Sequence, residues 1–405
     1  MFPVKSFTLH DPPVKLPTFR SKKNRVSIRA GAGAYITAMG TAVPAHRFDQ
    51  SRIADFMVRA MKLSGQDERR LRALYRSTRI DFRHSVLPDY GEERGTYTFY
   101  PNTPELEPFP TVQQRMIAYR QYAVGLAEAA LRDCLATQNI KPEEITHLIT
   151  VSCTGMYAPG PDIELIGRLG LRSSVHRLAV NFMGCYGAFN GLKAASALVK
   201  ADPEAKVLVV CVELCTLHFQ KKNEEDHWLA NALFADGAAA VLMEGKSRKD
   251  DSLEASQKEY ALEIVDFACE VLPDGKDDMA WHISDFGFEM KLTSRVPEIL
   301  RTGLSSVLER LTRAAGIRPD DVNLYAIHPG GRRILEVVEE VLGLTHEDNA
   351  AAYATLRDYG NMSSATILFV LKKLWELNHQ SAGDYIFASA FGPGLTAETA
   401  LLKIV

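Results

Sequence analysis

Nowhere in the 405 residues do ~18 apolar side chains follow one another, which excludes a simple membrane-spanning helix. The first 30 residues hold Lys5, Arg20, Lys22, Lys23 and Arg25 but no apolar stretch of signal-peptide length. Residues 1–30 therefore read as a flexible tail, and the protein as soluble and cytoplasmic. An excess of charge of one sign is also missing: 47 basic against 50 acidic side chains leave a net charge of −3, so no broad field attracts nucleic acid or an anionic membrane. Cysteine is scarce. The six thiols, Cys134, Cys153, Cys185, Cys211, Cys215 and Cys269, are too few for a disulfide framework in so long a chain, and none has the paired spacing of a zinc site. They read as thiols in a reducing compartment. What the chain does have is apolar mass, 46% hydrophobic against 24% charged, over a length too great for one ordinary core. Two packed halves are expected, over residues 31–250 and 251–405.

An internal duplication supports that division. A helical segment from Ala127 to Leu135 leads into Lys141-Pro142-Glu143-Glu144-Ile145, an apolar run from Leu148 to Val151, a Gly/Pro loop and a helix ending Leu169-Gly170-Leu171. The order returns in the second half: a helix at Ser306 to Leu311, Arg318-Pro319-Asp320-Asp321-Val322, a strand from Leu324 to Ile327, and a helix ending Leu342-Gly343-Leu344. Small-residue helices after Cys185 and after Asn361 are then followed by β-rich runs, Val207 to Val212 and Tyr385 to Phe387. Alternating helices and strands favour sheets covered by helices on both faces. The helix from Ala188 to Leu198 carries one charge, Lys193, and should be buried nearly all round, as a central layer between two sheets.

Three residues at strand-to-helix junctions carry chemistry. Cys185, in Asn181-Phe182-Met183-Gly184-Cys185-Tyr186-Gly187, stands directly before the buried helix, where free N–H groups and the helix dipole favour a thiolate. His328 ends a strand and precedes Pro329-Gly330-Gly331, which exposes the imidazole at a helix start, ready to hold a proton or to donate to developing negative charge. Asn361, in Asp358-Tyr359-Gly360-Asn361-Met362-Ser363-Ser364, either donates through its amide without changing charge or serves as a helix N-cap. The duplication sets Cys185 and Asn361 at equivalent points of the two halves, so the three converge.

Cysteine, histidine and asparagine in this order resemble the condensing enzymes of the thiolase fold. His328-Pro329-Gly330-Gly331, Gly360-Asn361-Met362-Ser363-Ser364-Ala365 and Phe391-Gly392-Pro393-Gly394-Leu395 resemble, more narrowly, the chalcone synthase-like or type III polyketide synthases of bacterial type, from about Ala34 to Val405. The resemblance implies an α/β fold of five alternating αβαβα layers from two duplicated halves, and a homodimer that uses CoA thioesters as substrates and no cofactor. It further implies that Cys185 accepts an acyl starter, while His328 and Asn361 stabilise the thioester oxygen and the enolate formed as malonyl-CoA loses carbon dioxide.

The resemblance places Phe234, in Ala232-Leu233-Phe234-Ala235-Asp236-Gly237, where the CoA tunnel meets the acyl cavity. Met290 stands where plant members have a second gatekeeping phenylalanine, and Trp281 where they have glycine. Cys153, Cys215, His218 and Ser363 match cavity positions, and Ala390 replaces a glycine near the site of ring closure. Ala158 takes the place of a methionine that reaches across the dimer. The cluster Arg69, Arg70, Arg72, Arg76 and Arg79 lies in the region where the family grips CoA phosphates, although its helical spacing also fits a solvated face. Competing readings are a ketoacyl synthase taking acyl-carrier protein, against which His328-Pro329-Gly330-Gly331 speaks, and a silent thiolase-fold scaffold, against which the intact triad speaks. A papain-like protease would place its cysteine near the N-terminus beside tryptophan.

Overall fold

The computed structural model describes residues 33–245, 261–376 and 381–405, apart from residues 137, 139, 294 and 302. The expected tail over residues 1–30 and the boundary between the halves near residue 250 lie outside the described residues. The first half runs β1 (Tyr35–Ala42), β2 (His46–Asp49), α1 (Gln50–Ala60), α2 (Gly65–Ser77), β3 (Phe82–Ser85), α3 (Val112–Ala136), β4 (His147–Ser152), α4 (Pro161–Leu169), β5 (His176–Asn181), α5 (Gly187–Ala201), β6 (Lys206–Leu214), α6 (Glu225–Leu233) and β7 (Asp236–Glu244). The second runs β8 (Leu262–Val271), β9 (Met279–Ser284), β10 (Gly287–Leu292), α7 (Val296–Arg301), α8 (Leu304–Ala315), β11 (Val322–Ile327), α9 (Arg332–Leu342), α10 (Ala350–Tyr359), α11 (Thr366–Glu376), β12 (Tyr385–Gly392) and β13 (Thr396–Ile404).

The strands bond in the order β5-β4-β6-β7-β1-β8-β13-β12-β11. Two separate sheets were expected; instead the halves share a seam of two residue pairs, Tyr35 with Glu263 and Ile36 with Leu262. One further bond, from the Ile264 N–H to the Ala34 carbonyl at 2.8 Å, continues the seam, and the rest of β1 follows β7 and the rest of β8 follows β13. Along β6 the side chains alternate as a pleated strand requires: Val207, Val209 and Cys211 face one core with α5, while Leu208, Val210 and Val212 face another with α3. Helices α5 and α11 pack against strands of both halves, α3 covers the outer face of the first and α8 that of the second, which gives the five layers of a thiolase fold.

The duplicated segments coincide in detail. Pro142–Glu144 and Pro319–Asp321 are both single 3-10 turns, closed by Glu144 accepting from the Lys141 N–H at 2.9 Å and by Asp321 accepting from the Arg318 N–H at 2.8 Å. Gly170 and Gly343 end α4 and α9 in the left-handed region, with φ of 71° and 68°. Helix α5 is buried along most of its length, and its one interior cation, Lys193, pairs with the buried Glu398 of β13. A side chain at Gly191 would meet Val209 at 2.8 Å, so glycine there lets the helix lie close on the sheet.

Candidate active site

Cys185 is the middle residue of a 3-10 turn, Gly184–Tyr186, that runs into α5. The turn is forced by Gly184, whose φ of 73° suits glycine and whose added Cβ would lie 2.2 Å from Pro393. Burial works against the expected thiolate. Burial pushes the Cys185 thiol up to about 12, and hydrogen bonds from the Ser363 and Asn361 side chains and from its own backbone N–H only partly oppose this.

The offset between the two halves also differs from expectation. In the second half the matching 3-10 turn is Ser363–Ala365 before α11, so the residue equivalent to Cys185 is Ser364, and Asn361 lies three residues earlier. Nor is Asn361 the N-cap of α11. It pairs in a short parallel bridge with Phe234: its N–H donates to the Leu233 carbonyl at 2.9 Å and its carbonyl accepts from the Ala235 N–H at 2.8 Å. The side-chain Oδ1 accepts from the Ser363 N–H at 2.8 Å, and Nδ2 donates to the Gly330 carbonyl at 3.2 Å, which leaves the second amide hydrogen for the Cys185 side.

His328 follows β11, its backbone N–H bonded to the Ser389 carbonyl of β12 at 2.8 Å. The sequence pattern suggested an exposed imidazole; the residue is 1% exposed and lines an internal cavity wall. Burial pushes it down to about 3, so the resting ring is neutral, and neither ring nitrogen has a hydrogen-bond partner among the described residues. Two orphaned nitrogens on a buried ring that faces a cavity mark a place for ligand oxygen.

These three residues line one cavity of about 530 Å³ together with Phe234, Met290 and Phe391. Cys153, Cys215, Trp281 and Ser363 meet Cys185 around a lobe of about 20 Å³ behind it. His218 lines a third chamber of about 40 Å³ that shares Phe234, Met290, Trp281 and Cys215 as its walls. Trp281 and Met290 are direct cross-strand partners on the β9–β10 hairpin, and the indole N–H donates to the Cys153 carbonyl at 2.7 Å, which fixes the hairpin against the site. Ala158 lies apart, on an exposed loop outside these cavities.

Among the described residues lining the cavity, none is one of the five clustered arginines. Arg70 pairs with Asp67 and Glu225, and Arg72 with Asp55 and Glu68, as a solvated face does. Ser77 and Thr78, where α2 ends, do line the cavity, as do Arg332 and Arg333 of α9, which sequence reasoning passed over.

It also missed Glu213 and Arg83. The carboxyl of Glu213 is wholly buried beneath the lobe and accepts from the Cys153 N–H at 3.0 Å, the Thr154 hydroxyl at 2.8 Å and the Ser364 hydroxyl; burial pushes it up to about 7. A glutamate within the apolar run of β6 was the available signal. Arg83 donates to the Phe234 carbonyl at 2.7 Å and to the Asn231 carbonyl at 2.8 Å, fixing the end of α6 and with it Phe234.

Comparison with known proteins agrees with this architecture. Residues 21–246 match the N-terminal domain of the chalcone and stilbene synthases and residues 263–405 their C-terminal domain. An alpha-pyrone synthesis polyketide synthase-like protein of Mycobacterium tuberculosis is 30% identical over 92% of this chain and 91% of its own. The 1,3,6,8-tetrahydroxynaphthalene synthase of Streptomyces peucetius is also 30% identical, over 92% and 93%. Among solved structures, a polyketide synthase of the brown alga Ectocarpus siliculosus superposes with a TM-score of 0.83 at 28% identity, covering 93% of this chain and 99% of that one. The C-terminal type III polyketide synthase domain of a hybrid enzyme from Dictyostelium gives 0.83 at 26% identity, over 92% and 99%.

Proposed function

Because this chain belongs to the chalcone and stilbene synthase family, and is a type III polyketide synthase, we propose that it loads an acyl starter from a CoA thioester on Cys185 and extends it with malonyl-CoA. The observation that carries this assignment of roles is the convergence of Cys185, His328 and Asn361 on one cavity, with both imidazole nitrogens of His328 unpartnered. In loading, the Cys185 sulfur attacks the starter carbonyl, its proton passes to the departing CoA thiol by way of His328, and the oxyanion lies against the His328 and Asn361 donors. In extension, malonyl-CoA loses carbon dioxide. The electron pair left on carbon attacks the Cys185 thioester, and the cysteine leaves as the longer chain returns to CoA. Decarboxylation itself makes the carbanion, so the step requires no bound cofactor. Neutral imidazole suits this role: one N–H donates to the enolate oxygen without a buried cation to neutralise.

The adenosine and pyrophosphate end of CoA lies at the mouth, beside Ser77, Thr78, Arg332 and Arg333. The product is a pyrone, resorcinol or related phenolic. A second copy of the chain covers the free edge of β5, where Leu178 is exposed along with nearby Met156 and Ile163 of the neighbouring loop and α4, and brings the Ala158 loop to the shared face. No helix among the described residues is long and apolar enough to cross a membrane, in keeping with a cytoplasmic site of action.

The test is incubation of purified protein with labelled malonyl-CoA and a panel of short, aromatic and long-chain acyl-CoAs, for wild type and Cys185→Ala. Starter-dependent polyketides from wild type alone are expected; no carbon dioxide and no product with any CoA ester would overturn the assignment. Light scattering should give a dimer mass, and Leu178→Lys should shift it toward the monomer; a wild-type monomer would remove the β5 interface.

A further inference from the structure

We propose that Cys153 is a resolving thiol for Cys185: when a peroxide oxidises Cys185, the two sulfurs join in a disulfide that switches the nucleophile off reversibly. The inference rests on the functional reading only in naming Cys185 as the nucleophile. Both thiols line the same lobe of about 20 Å³. The Cys153 sulfur is held against the residue just before Cys185, accepting from the Gly184 N–H at 2.9 Å and facing the Gly184 carbonyl at 3.5 Å. Cys215 also lines the lobe but has no such tie to the turn. Cys185 in addition lines the main cavity of about 530 Å³, large enough to admit an oxidant little bigger than water.

The chemistry balances. The Cys185 sulfur attacks one peroxide oxygen, the O–O bond breaks, and a sulfenic acid and water result. The Cys153 sulfur then attacks the sulfenic sulfur, the S–S bond forms, the S–O bond breaks, and hydroxide leaves as water with the proton of Cys153. Two thiols are oxidised and one peroxide is reduced to two waters. Without Cys153, the sulfenic acid is left to take up further oxygen irreversibly.

The experiment treats the full chain with hydrogen peroxide, digests it without reductant and maps Cys153, Cys185 and Cys215 by mass spectrometry, for wild type, Cys153→Ala and Cys215→Ala. Expected in wild type and Cys215→Ala is a Cys153–Cys185 peptide pair lighter by two hydrogens, with lost activity returning on dithiothreitol. In Cys153→Ala, Cys185 carries two or three added oxygens and activity does not return. Over-oxidation of Cys185 in wild type as fast as in Cys153→Ala, or a cross-link to Cys215, overturns the proposal. The wild-type map decides even if the variants fail to fold, and an inactive but cross-linked wild type would separate this inference from the synthase reading.

Discussion

His218 and His328 are both buried, and burial pushes both down to about 3, yet they are opposites in what surrounds them. His218 has both nitrogens engaged: Nε2 donates to the Thr154 carbonyl at 2.7 Å, Nδ1 accepts from the Phe288 N–H at 2.9 Å, and the ring stacks on Phe288 with centroids 4.3 Å apart. It clamps β10, and so Met290, to the loop after β4. His328 has neither nitrogen engaged by any described residue. The pair teaches that burial and a depressed imidazole do not by themselves identify a functional histidine; the unspent hydrogen-bonding capacity does.

Exchanging each for alanine should break the comparison most sharply. His328→Ala is expected to lower kcat/KM by about 10²–10³-fold, the size of a lost oxyanion donor, with an unfolding midpoint equal to or above that of wild type because two orphaned nitrogens are removed. His218→Ala should do the reverse, reducing unfolding free energy in urea by about 3 kcal/mol as two buried hydrogen bonds and a stacked ring are lost, with activity per folded molecule reduced much less.

A pH series sharpens the contrast. A histidine whose folded value lies below its ordinary 6.5 binds fewer protons folded than unfolded, so its stabilisation is full above 6.5 and is lost as the pH falls toward the folded value. Between 6.5 and about 4.5 that loss is up to about 3 kcal/mol per ring, and His328→Gln should show a correspondingly shallower acid decline in melting experiments. Glu213 runs the other way. Raised from 4.5 to about 7, it binds a proton more readily folded, and its contribution is lost as the pH rises through that range, so Glu213→Gln should gain on wild type as the pH climbs from 4.5 past 7. A difference between these two proteins that does not change with pH would contradict the burial of that carboxyl. The smallest effect is at the cavity edge: Arg333→Ala should raise KM for the CoA substrate about fivefold, about 1 kcal/mol, because Arg333 lines the cavity even while pairing with Glu336 and Glu340, whereas Arg72→Ala, which lies outside it, should leave KM unchanged.

What was legible in the sequence was local or periodic. The turns Pro142–Glu144 and Pro319–Asp321, the glycine ends of α4 and α9, and the small-residue helix α5 are each written in a few adjacent residues, whereas α11, expected to be its small-residue counterpart, is built of bulky side chains such as Ile367, Leu368 and Phe369. The convergence of Cys185, His328 and Asn361 followed from their junctions and motifs. What was not legible depends on partners far along the chain. The burial of His328 comes from elements beyond its own strand; the thiol state of Cys185 depends on lost water; the role of Glu213 needs Cys153, Thr154 and Ser364 brought around it. The three-residue offset of Asn361 shows only when the 3-10 turns Gly184–Tyr186 and Ser363–Ala365 are matched, and the bridge of Asn361 to Phe234 is made to a residue far along the chain.

The central claim, that Cys185 is the residue acylated in this cavity, is tested most directly by intact-protein mass spectrometry after incubation with an acyl-CoA and no malonyl-CoA. The account predicts one acyl group per chain, mapped to Cys185, discharged on adding malonyl-CoA, and absent from Cys185→Ala. An acyl group on another residue, or one that persists in Cys185→Ala, would contradict it.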